Sequence, residues 1–234
     1  IHTDLPQKFG IPRNSFLAPH LQGRIFFEPE FASNAAVEGL DSFSHLWLLW
    51  RFENGTPGGT AKDIAVDAKT QDRSGTNAKW SKTVRPPRLG GNEKRGVFAT
   101  RSPFRPNELG LSVVKLENVV KTKGKGTVLK VSGVDLLDKT PIYDIKPYLP
   151  YADAHPQASG GFASDPNEGV LIVDCDDEVL ERLGDDATAV LAALARDPRP
   201  AYHDDPERVY EMRYGSWTVC FSVDGDTLTV HSVE

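Results

Sequence analysis

The chain has 234 residues, 39% of them hydrophobic and 26% charged, which allows one large or two modest domains with a buried core. Its two cysteines form no CxxC pair, and no apolar run approaches the length of a membrane span. These features argue against a disulfide scaffold, a zinc-binding domain and a membrane protein, and they predict a reduced cytoplasmic chain with no metal site.

The formal net charge of −6 is the sum of a basic N-terminal part and an acidic C-terminal part. Residues 1–150 carry 22 Lys and Arg against 15 Asp and Glu, a balance of +7, whereas residues 151–234 carry 5 against 18, a balance of −13. Basic residues are densest over 73–125, where 13 Lys and Arg accompany three Glu. This density is typical of a surface that binds a nucleic-acid backbone, with solvated surface lysines as the alternative.

The first 31 residues predict short extended segments, and a strongly aromatic segment, LDSFSHLWLLWRF, follows at 40–52. As a strand, this segment places apolar side chains on both faces, which predicts burial on both sides. One side would be the barrel interior and the other a partner subunit or domain. His45 is the polar residue in this aromatic set, and it is interpreted as a hydrogen-bonded core histidine rather than a catalytic one.

Residues 53–82 show little periodicity and predict an insertion or mobile loop. The next stretch, 84–111, holds five arginines among four prolines and four glycines. Proline makes a loop rigid, because it fixes φ and has no backbone N–H to donate to a neighbouring strand. Arginine has a planar guanidinium whose N–H groups can bind a carboxylate or phosphate at two points. The stretch therefore predicts a rigid site for an anionic partner, with an ordinary solvated loop as the alternative.

Two β-branched segments come next, LGLSVVKLENVV and TVLKVSGVDLL, followed by a proline-containing segment suited to a sheet edge. Many short strands with turn signals predict a mainly β fold, with a closed or nearly closed antiparallel barrel over 1–153. Residues 154–168 have the composition of a linker.

Residues 169–234 predict a smaller α+β domain. A strand, GVLIVDC, leads into a helical run that Asp176 can cap and that Gly184 breaks in two. The sequence DPRPAY at 197–202 then ends the helical run and predicts an ordered loop. A hairpin that turns at Asp224-Gly225 completes the domain.

The sequence has no GxGxxG after a strand, no P-loop, no GxSxG and no HExxH, which argues against a dinucleotide-type fold. Several segments instead resemble the β-barrel tRNA methyltransferase family: KFGIPRN, GLDSFSHLWLLWRF, VRPPRLGGN, GVFATRSPFRPN, LGLSVVKL, LLDKTPIYDIKPYLPYAD and DPRPAYHDDPERVYEM. The resemblance covers nearly the whole chain apart from the 55–82 insertion and the linker. It implies a homodimeric, S-adenosylmethionine-dependent enzyme that methylates N6 of N6-threonylcarbamoyladenosine at position 37 of tRNA, beside the anticodon.

The resemblance also implies where S-adenosylmethionine binds. The corresponding positions of this chain are Ser15, Phe16, Leu17, Asn54, Gly55, Arg101, Leu111, Lys139, Thr140, Pro141 and Ile142. Four positions depart from residues that are common in the family, which has Pro-Gly in place of Ser15-Phe16, histidine in place of Glu53 and glycine in place of Lys139. Contacts made by backbone amides and carbonyls tolerate such changes.

For tRNA, the arginine-rich loops supply the expected contacts, which are Arg85, Arg88, Phe104, Arg105 and Asn107. The acceptor base is expected to leave its stack and to rest on Phe104 or Tyr202.

The catalytic residues implied by DPRPAY are Asp197, Arg199 and Tyr202. Arg199 is stiffened between two prolines, and the hypothesis is that it grips the carboxylate of the threonylcarbamoyl group. Asp197 would orient Arg199 or accept the proton that leaves N6. The alternative is that this motif merely ends a helix and that Asp197 caps it or forms a salt bridge.

A second class of function stays open, a non-enzymatic RNA-binding or ligand-sensing β-barrel dimer. In that case the arginines would only grip phosphates.

Overall fold

The computed structural model describes residues 1–52, 80–86, 93–122, 126–163, 170–200 and 203–234, with residue 122 described for its backbone alone. Four of the expected site residues lie outside these ranges: Asn54, Gly55, Arg88 and Tyr202.

The described chain is built around a six-stranded and a four-stranded β-sheet, with an additional small two-stranded sheet of Thr83–Val84 and Arg95–Gly96. The strands are β1 (His2–Thr3), β2 (Gln22–Phe26), β3 (His45–Arg51), β4 (Thr83–Val84), β5 (Arg95–Gly96), β6 (Leu109–Thr122), β7 (Gly126–Ser132), β8 (Ile142–Pro147), β9 (Ile172–Asp174), β10 (Tyr210–Tyr214), β11 (Trp217–Asp224) and β12 (Thr227–Val233). The α-helices are α1 (Pro150–Asp153), α2 (Asp177–Leu183) and α3 (Ala187–Leu194).

The N-terminal sheet has six strands in the order β1-β2-β7-β6-β3-β8, and every neighbouring pair is antiparallel. Alternate residues of its central strands face inward, among them the fully buried Leu46, Leu48, Val114 and Leu129. This period of two follows from the pleat, which sends successive side chains to opposite faces of a strand. The sheet curls around these side chains into a half-barrel.

The two edges of this sheet, β1 and β8, are not paired with each other. A segment before β8 closes the gap instead, because the amide of Asp138 donates to the Leu5 carbonyl at 2.9 Å and the Thr3 hydroxyl donates to the Leu136 carbonyl at 3.0 Å. The prediction of a mainly β fold with an antiparallel barrel followed by a smaller α+β part is confirmed, and loop contacts replace one ladder of the barrel.

Within a single chain β3 is buried on one face, and the expectation that a partner subunit or domain covers the other face stays a prediction. Leu46, Leu48 and Trp50 are buried, but the alternate residues from His45 onward are only partly buried, and Arg51 is exposed. His45 therefore lies on the outward face and not in the core. Its ring contacts Phe16 at a centroid distance of 5.4 Å, and its Nδ1 is hydrogen-bonded to the neighbouring Ser44 hydroxyl at 2.8 Å.

The C-terminal sheet has the order β10-β11-β12-β9, in which only β9 runs parallel to its neighbour. Gly184 ends α2 with a φ of 54°, a conformation that favours glycine, and the helical run resumes in α3 as predicted. Asp176 stands at the N-cap of α2 but its side chain makes no capping hydrogen bond. The predicted hairpin of β11 and β12 is present, but Asp224 still pairs with Thr227, so the two turn residues are Gly225 and Asp226, one position later than predicted.

The two sheets share one continuous hydrophobic core, because the first residues of the chain pack against the C-terminal sheet. Phe9 stacks on Tyr210 and Phe221 at centroid distances of 6.4 and 6.3 Å, and the Gly215 amide donates to the Asp4 carbonyl at 2.7 Å. The domain limits at 153 and 169 stay predictions, since the core itself has no break between the sheets.

Candidate cofactor and substrate site

The segment Ser15, Phe16 and Leu17 lies beside the end of β7. Phe16 has a φ of 64°, and its amide donates to the Gly133 carbonyl, just after β7, at 3.2 Å. Gly133 itself has a φ of 74°, and a side chain there would meet the Phe16 ring at 3.0 Å. The glycine therefore permits the close approach of the two loops.

A second loop, Lys139 to Ile142, lies at the sheet edge. Lys139 has a φ of 67°, Thr140 is buried, and the Pro141 carbonyl accepts a hydrogen bond from the Arg51 amide at 3.3 Å. Ile142 begins β8 opposite Trp50. This loop is thus fixed against the end of β3, from which the undescribed Asn54 and Gly55 follow within a few residues.

Phe16 and Lys139 are two positions at which the resembling family commonly has glycine. Both adopt the left-handed region that glycine visits freely and that other residues adopt at a cost of about 1 kcal/mol. This chain therefore has a glycine-type backbone at two positions that carry side chains. A site that recognises its ligand through backbone amides and carbonyls depends on the backbone and tolerates such side chains.

Arg101 is exposed and its Nη1 donates to Asn14 Oδ1 at 2.9 Å, which places its guanidinium beside the 15–17 segment. The loop that carries it is tied by Arg105, whose Nη1 donates to the carbonyls of Thr100 and Ser102 at 3.0 and 3.1 Å. Arg105 Nη1 thus stabilises the loop, and fewer N–H donors of Arg105 remain for a phosphate.

The remaining members of the expected tRNA surface lie around the same loop. Arg85 and Asn107 are exposed, and Phe104 is partly buried, with its carbonyl accepting a hydrogen bond from the Ser81 amide at 3.0 Å. Leu111 differs from the other expected cofactor residues, because its side chain is exposed on the outward face of β6, opposite Leu49.

Asp135, a partly exposed residue whose Oδ1 is shielded from solvent, completes this region and was not among the residues expected from the sequence. Burial raises its pKa above the ordinary value, while the Ser112 hydroxyl, the Ser15 amide and the charge of Arg101 act in the opposite direction. Its Oδ1 has no hydrogen-bond partner among the described residues. The sequence signal was an acid between the apolar residues of GVDLL, a position where an aspartate is seldom buried without a partner.

In the C-terminal part, Asp197 and Arg199 form an ion pair that uses both carboxylate oxygens. Arg199 Nε and Nη2 donate to Asp197 Oδ1 and Oδ2 at 2.9 and 3.1 Å, and the Arg199 amide donates to Oδ1 at 3.2 Å. The Arg199 side chain is 10% exposed and the Asp197 side chain 23%. These hydrogen bonds raise the pKa of Arg199. Its Nη1 side lies outside the pair and can serve a second carboxylate.

Arg196 joins the two halves of the site, a link that sequence analysis did not reveal. Its Nε donates to the Leu17 carbonyl at 2.6 Å, so the residue directly before Asp197 holds the expected cofactor segment. The DPRP turn and the 15–17 segment are therefore neighbours in space although about 180 positions separate them in the chain. Asp197 has a φ of 46°, which marks a sharp turn immediately after this contact.

Neither a metal cluster nor a membrane-spanning helix emerges from the described ranges. No group of three or more His, Cys, Asp or Glu side chains there could hold a metal ion. No helix in that part of the chain is both long and apolar enough to cross a membrane.

Comparison with known proteins covers both halves of the chain. Residues 1–154 match the tRNA-methyltransferase O N-terminal domain, and residues 178–234 match the TrmO C-terminal domain. The chain is 43% identical over 193 residues to a tRNA (adenine(37)-N6)-methyltransferase of Eikenella corrodens, covering 82% of this chain and 97% of the relative. It is 38% identical over 230 residues to the protein of the same name from Escherichia coli, covering 95% and 88%.

Two further comparisons agree with these. A putative S-adenosylmethionine-dependent methyltransferase of Pseudomonas aeruginosa is 40% identical over 221 residues, covering 91% of this chain and 85% of the relative. The crystal structure of TrmO from Pseudomonas aeruginosa superposes with a TM-score of 0.72 at 33% identity, covering 100% of this chain and 93% of that one.

Proposed function

Because the chain belongs to the tRNA-methyltransferase O family, we infer that it is an S-adenosylmethionine-dependent tRNA (adenine(37)-N6)-methyltransferase. The observation that carries this inference is that both domains of the family match, at high identity to relatives with that activity in their names. Its place of action is then the cytoplasm, where tRNA is modified.

S-adenosylmethionine supplies an activated methyl group when it is bound, so the protein's own task is to align the acceptor nitrogen with that methyl group and to exclude water. The residues of the site suit the cofactor. The loops 15–17 and 139–142 offer backbone amides and carbonyls suited to an adenine edge, and Arg101 offers a guanidinium suited to the methionyl carboxylate. The partnerless Oδ1 of Asp135 shows that this region has a further polar atom to satisfy.

We propose that the acceptor is adenosine 37 that already carries an N6-threonylcarbamoyl group. That group ends in a carboxylate, and a planar guanidinium held in place recognises a carboxylate in two-point contact. Asp197 fixes Arg199 through one edge of the guanidinium and leaves the Nη1 side for a substrate. The expected stacking of the base on Phe104 or Tyr202 and the expected phosphate contacts by Arg85, Arg88, Arg105 and Asn107 stay part of this proposal.

Calorimetry with S-adenosylmethionine on the purified protein tests the proposal at its first step. Saturable binding is expected. If neither S-adenosylmethionine nor its demethylated product binds while tRNA does, a non-enzymatic RNA-binding protein becomes the better description.

Replacing Arg101 by alanine is expected to weaken S-adenosylmethionine binding by about tenfold to a hundredfold, because a charge-assisted hydrogen bond to the methionyl carboxylate is lost. The thermal midpoint should change little, since Arg101 is exposed and its side chain donates only to Asn14 among the described hydrogen bonds. Arg24→Ala, an exposed arginine on β2, is the matched control. Unchanged affinity in Arg101→Ala would contradict the assignment.

We further propose that two copies of the chain associate through the outward face of the N-terminal sheet, which we call the outer face and define by Trp47, Leu49, Leu109, Leu111 and Val113. These residues alternate with the buried ones on β3 and β6, and Leu109 and Leu111 are 42% and 51% exposed. Adjacent exposed apolar side chains on one face of a sheet are typical of an interface between subunits.

Sedimentation at micromolar concentration is expected to give a dimer for the wild type and a monomer for Leu109→Glu, because a buried unpaired carboxylate at the interface opposes association. Val209→Glu makes the same change at an exposed apolar residue of the C-terminal part and should stay dimeric. A monomeric wild type, or a dimeric Leu109→Glu, would show that the outer face is not the interface.

A further inference from the structure

We propose that Asp135 is a cofactor-binding residue whose carboxylate accepts a hydrogen bond from the α-ammonium group of S-adenosylmethionine, while Arg101 binds the carboxylate of the same methionyl group. This inference rests on the proposed function and assigns one atom of the cofactor to one side chain.

The position of Asp135 is hard to explain by folding alone. It follows the end of β7 between the buried residues Val134 and Leu136, and its Oδ1 is both inaccessible to solvent and without a partner in the described chain. A carboxylate in such a place destabilises the fold unless its oxygens are hydrogen-bonded. An acid with one carboxylate oxygen shielded from solvent and left without a partner is therefore a candidate for binding a ligand.

The neighbours of Asp135 hold the carboxylate still. Ser112 contributes a hydroxyl on the inner face of β6, and its Oγ accepts a hydrogen bond from Trp50 Nε1 at 3.0 Å. Because the indole occupies a lone pair of Ser112, the hydroxyl hydrogen is left to point at Asp135. The Ser15 amide approaches from the expected cofactor segment. One carboxylate is thus oriented from β6 and from the 15–17 loop together.

Arg101 is the charged side chain whose field reaches Asp135, yet the two are not joined as an ion pair within 4.0 Å anywhere in the described ranges. Instead Arg101 donates to Asn14, on the same side of the 15–17 segment. An arginine and an aspartate near each other but unpaired leave room for a ligand that carries both charges. An α-amino acid has its ammonium and carboxylate groups on one carbon, so this arrangement is complementary to its zwitterion.

A ribose diol is the other group that a carboxylate of this kind could bind. The two possibilities differ in which ligands depend on Asp135. S-adenosylmethionine has both the amino acid and the ribose, whereas 5′-methylthioadenosine has the ribose and adenine but no amino acid.

The test compares the affinities of both ligands for wild type and Asp135→Asn by calorimetry. We expect Asp135→Asn to bind S-adenosylmethionine about tenfold to a hundredfold more weakly, the usual effect of losing a charge-assisted hydrogen bond, and to bind 5′-methylthioadenosine within twofold of wild type. Equal weakening of both ligands, or no weakening of either, would overturn the assignment. A wild type that binds no S-adenosylmethionine at all would instead overturn the proposed function.

Asp4→Asn is the matched control, because burial also raises the pKa of Asp4 although this residue faces Asp186 and the C-terminal sheet. It should leave both affinities unchanged. A second measurement does not depend on any variant folding. Wild type should bind the deaminated analogue of S-adenosylhomocysteine about tenfold to a hundredfold more weakly than S-adenosylhomocysteine itself, and equal affinity for the two would overturn the assignment.

Discussion

Replacing Arg199 by lysine is expected to lower methyl transfer to threonylcarbamoylated tRNA by about tenfold to a hundredfold while leaving S-adenosylmethionine affinity unchanged. A lysine cannot occupy both Asp197 oxygens and at the same time present a planar edge to a second carboxylate. The preference for modified over unmodified tRNA should fall by a similar factor, because the lost contact exists only with the modified base.

Arg213→Lys makes the same change at an exposed position of β10 and serves as the control for charge and expression. Asp197→Asn tests the role of the Asp197 carboxylate in orienting Arg199 and in accepting the N6 proton. Asparagine keeps the shape of the side chain but not the charge that holds the guanidinium. If Arg199→Lys keeps full rate and full preference, Arg199 does not read the carboxylate. If Asp197→Asn keeps the full rate of methyl transfer, Asp197 is structural and water accepts the proton that N6 loses.

Replacing Gly110 by alanine is expected to lower the free energy of unfolding by about 3 kcal/mol, the upper end of what an overpacked core site usually loses. An added Cβ would lie 2.3, 2.4 and 2.6 Å from three ring atoms of Trp50. The indole has no room to retreat, because its Nε1 is bonded to Ser112 and its ring meets Phe52 edge-on at 4.3 Å.

Gly96→Ala is the matched control for Gly110→Ala in chemical denaturation. Its backbone has an ordinary φ of −58°, and an added Cβ meets nothing within 4 Å. This variant should unfold at the wild-type midpoint or slightly above it, because alanine reduces the freedom of the unfolded chain. Equal midpoints for Gly110→Ala and wild type would mean that the indole is free to move.

The sequence predicted those parts of the fold that depend on local pattern. The alternation along β3 and β6, the break at Gly184 and the hairpin turn at Gly225 are each set by residues within a few positions of one another. The outward face of β3 could not be predicted in the same way. Its aromatic side chains resemble a core segment, and whether another chain covers them is not encoded locally.

In the candidate site, too, the residues within local motifs were predicted, and the contacts between distant segments were not. Resemblance of motifs identified the loops 15–17 and 139–142, and the departures from glycine at Phe16 and Lys139 fall where the backbone has a positive φ. The contact of Arg196 with the Leu17 carbonyl was beyond sequence reasoning, because it joins residues from opposite ends of the chain. Asp135 was missed for a related reason, since its shielded and partnerless Oδ1 arises only when β6, β7 and the 15–17 loop meet.

Mass spectrometry of the nucleosides of tRNA incubated with the purified protein and S-adenosylmethionine tests the central claim most directly. Two tRNA preparations should be compared, one carrying threonylcarbamoyladenosine at position 37 and one lacking that group. The account predicts one added methyl group on N6 of the modified adenosine 37 and little or no product with the unmodified tRNA. Protein that binds S-adenosylmethionine but leaves both tRNAs unmethylated, or that methylates a different nucleoside, would contradict it.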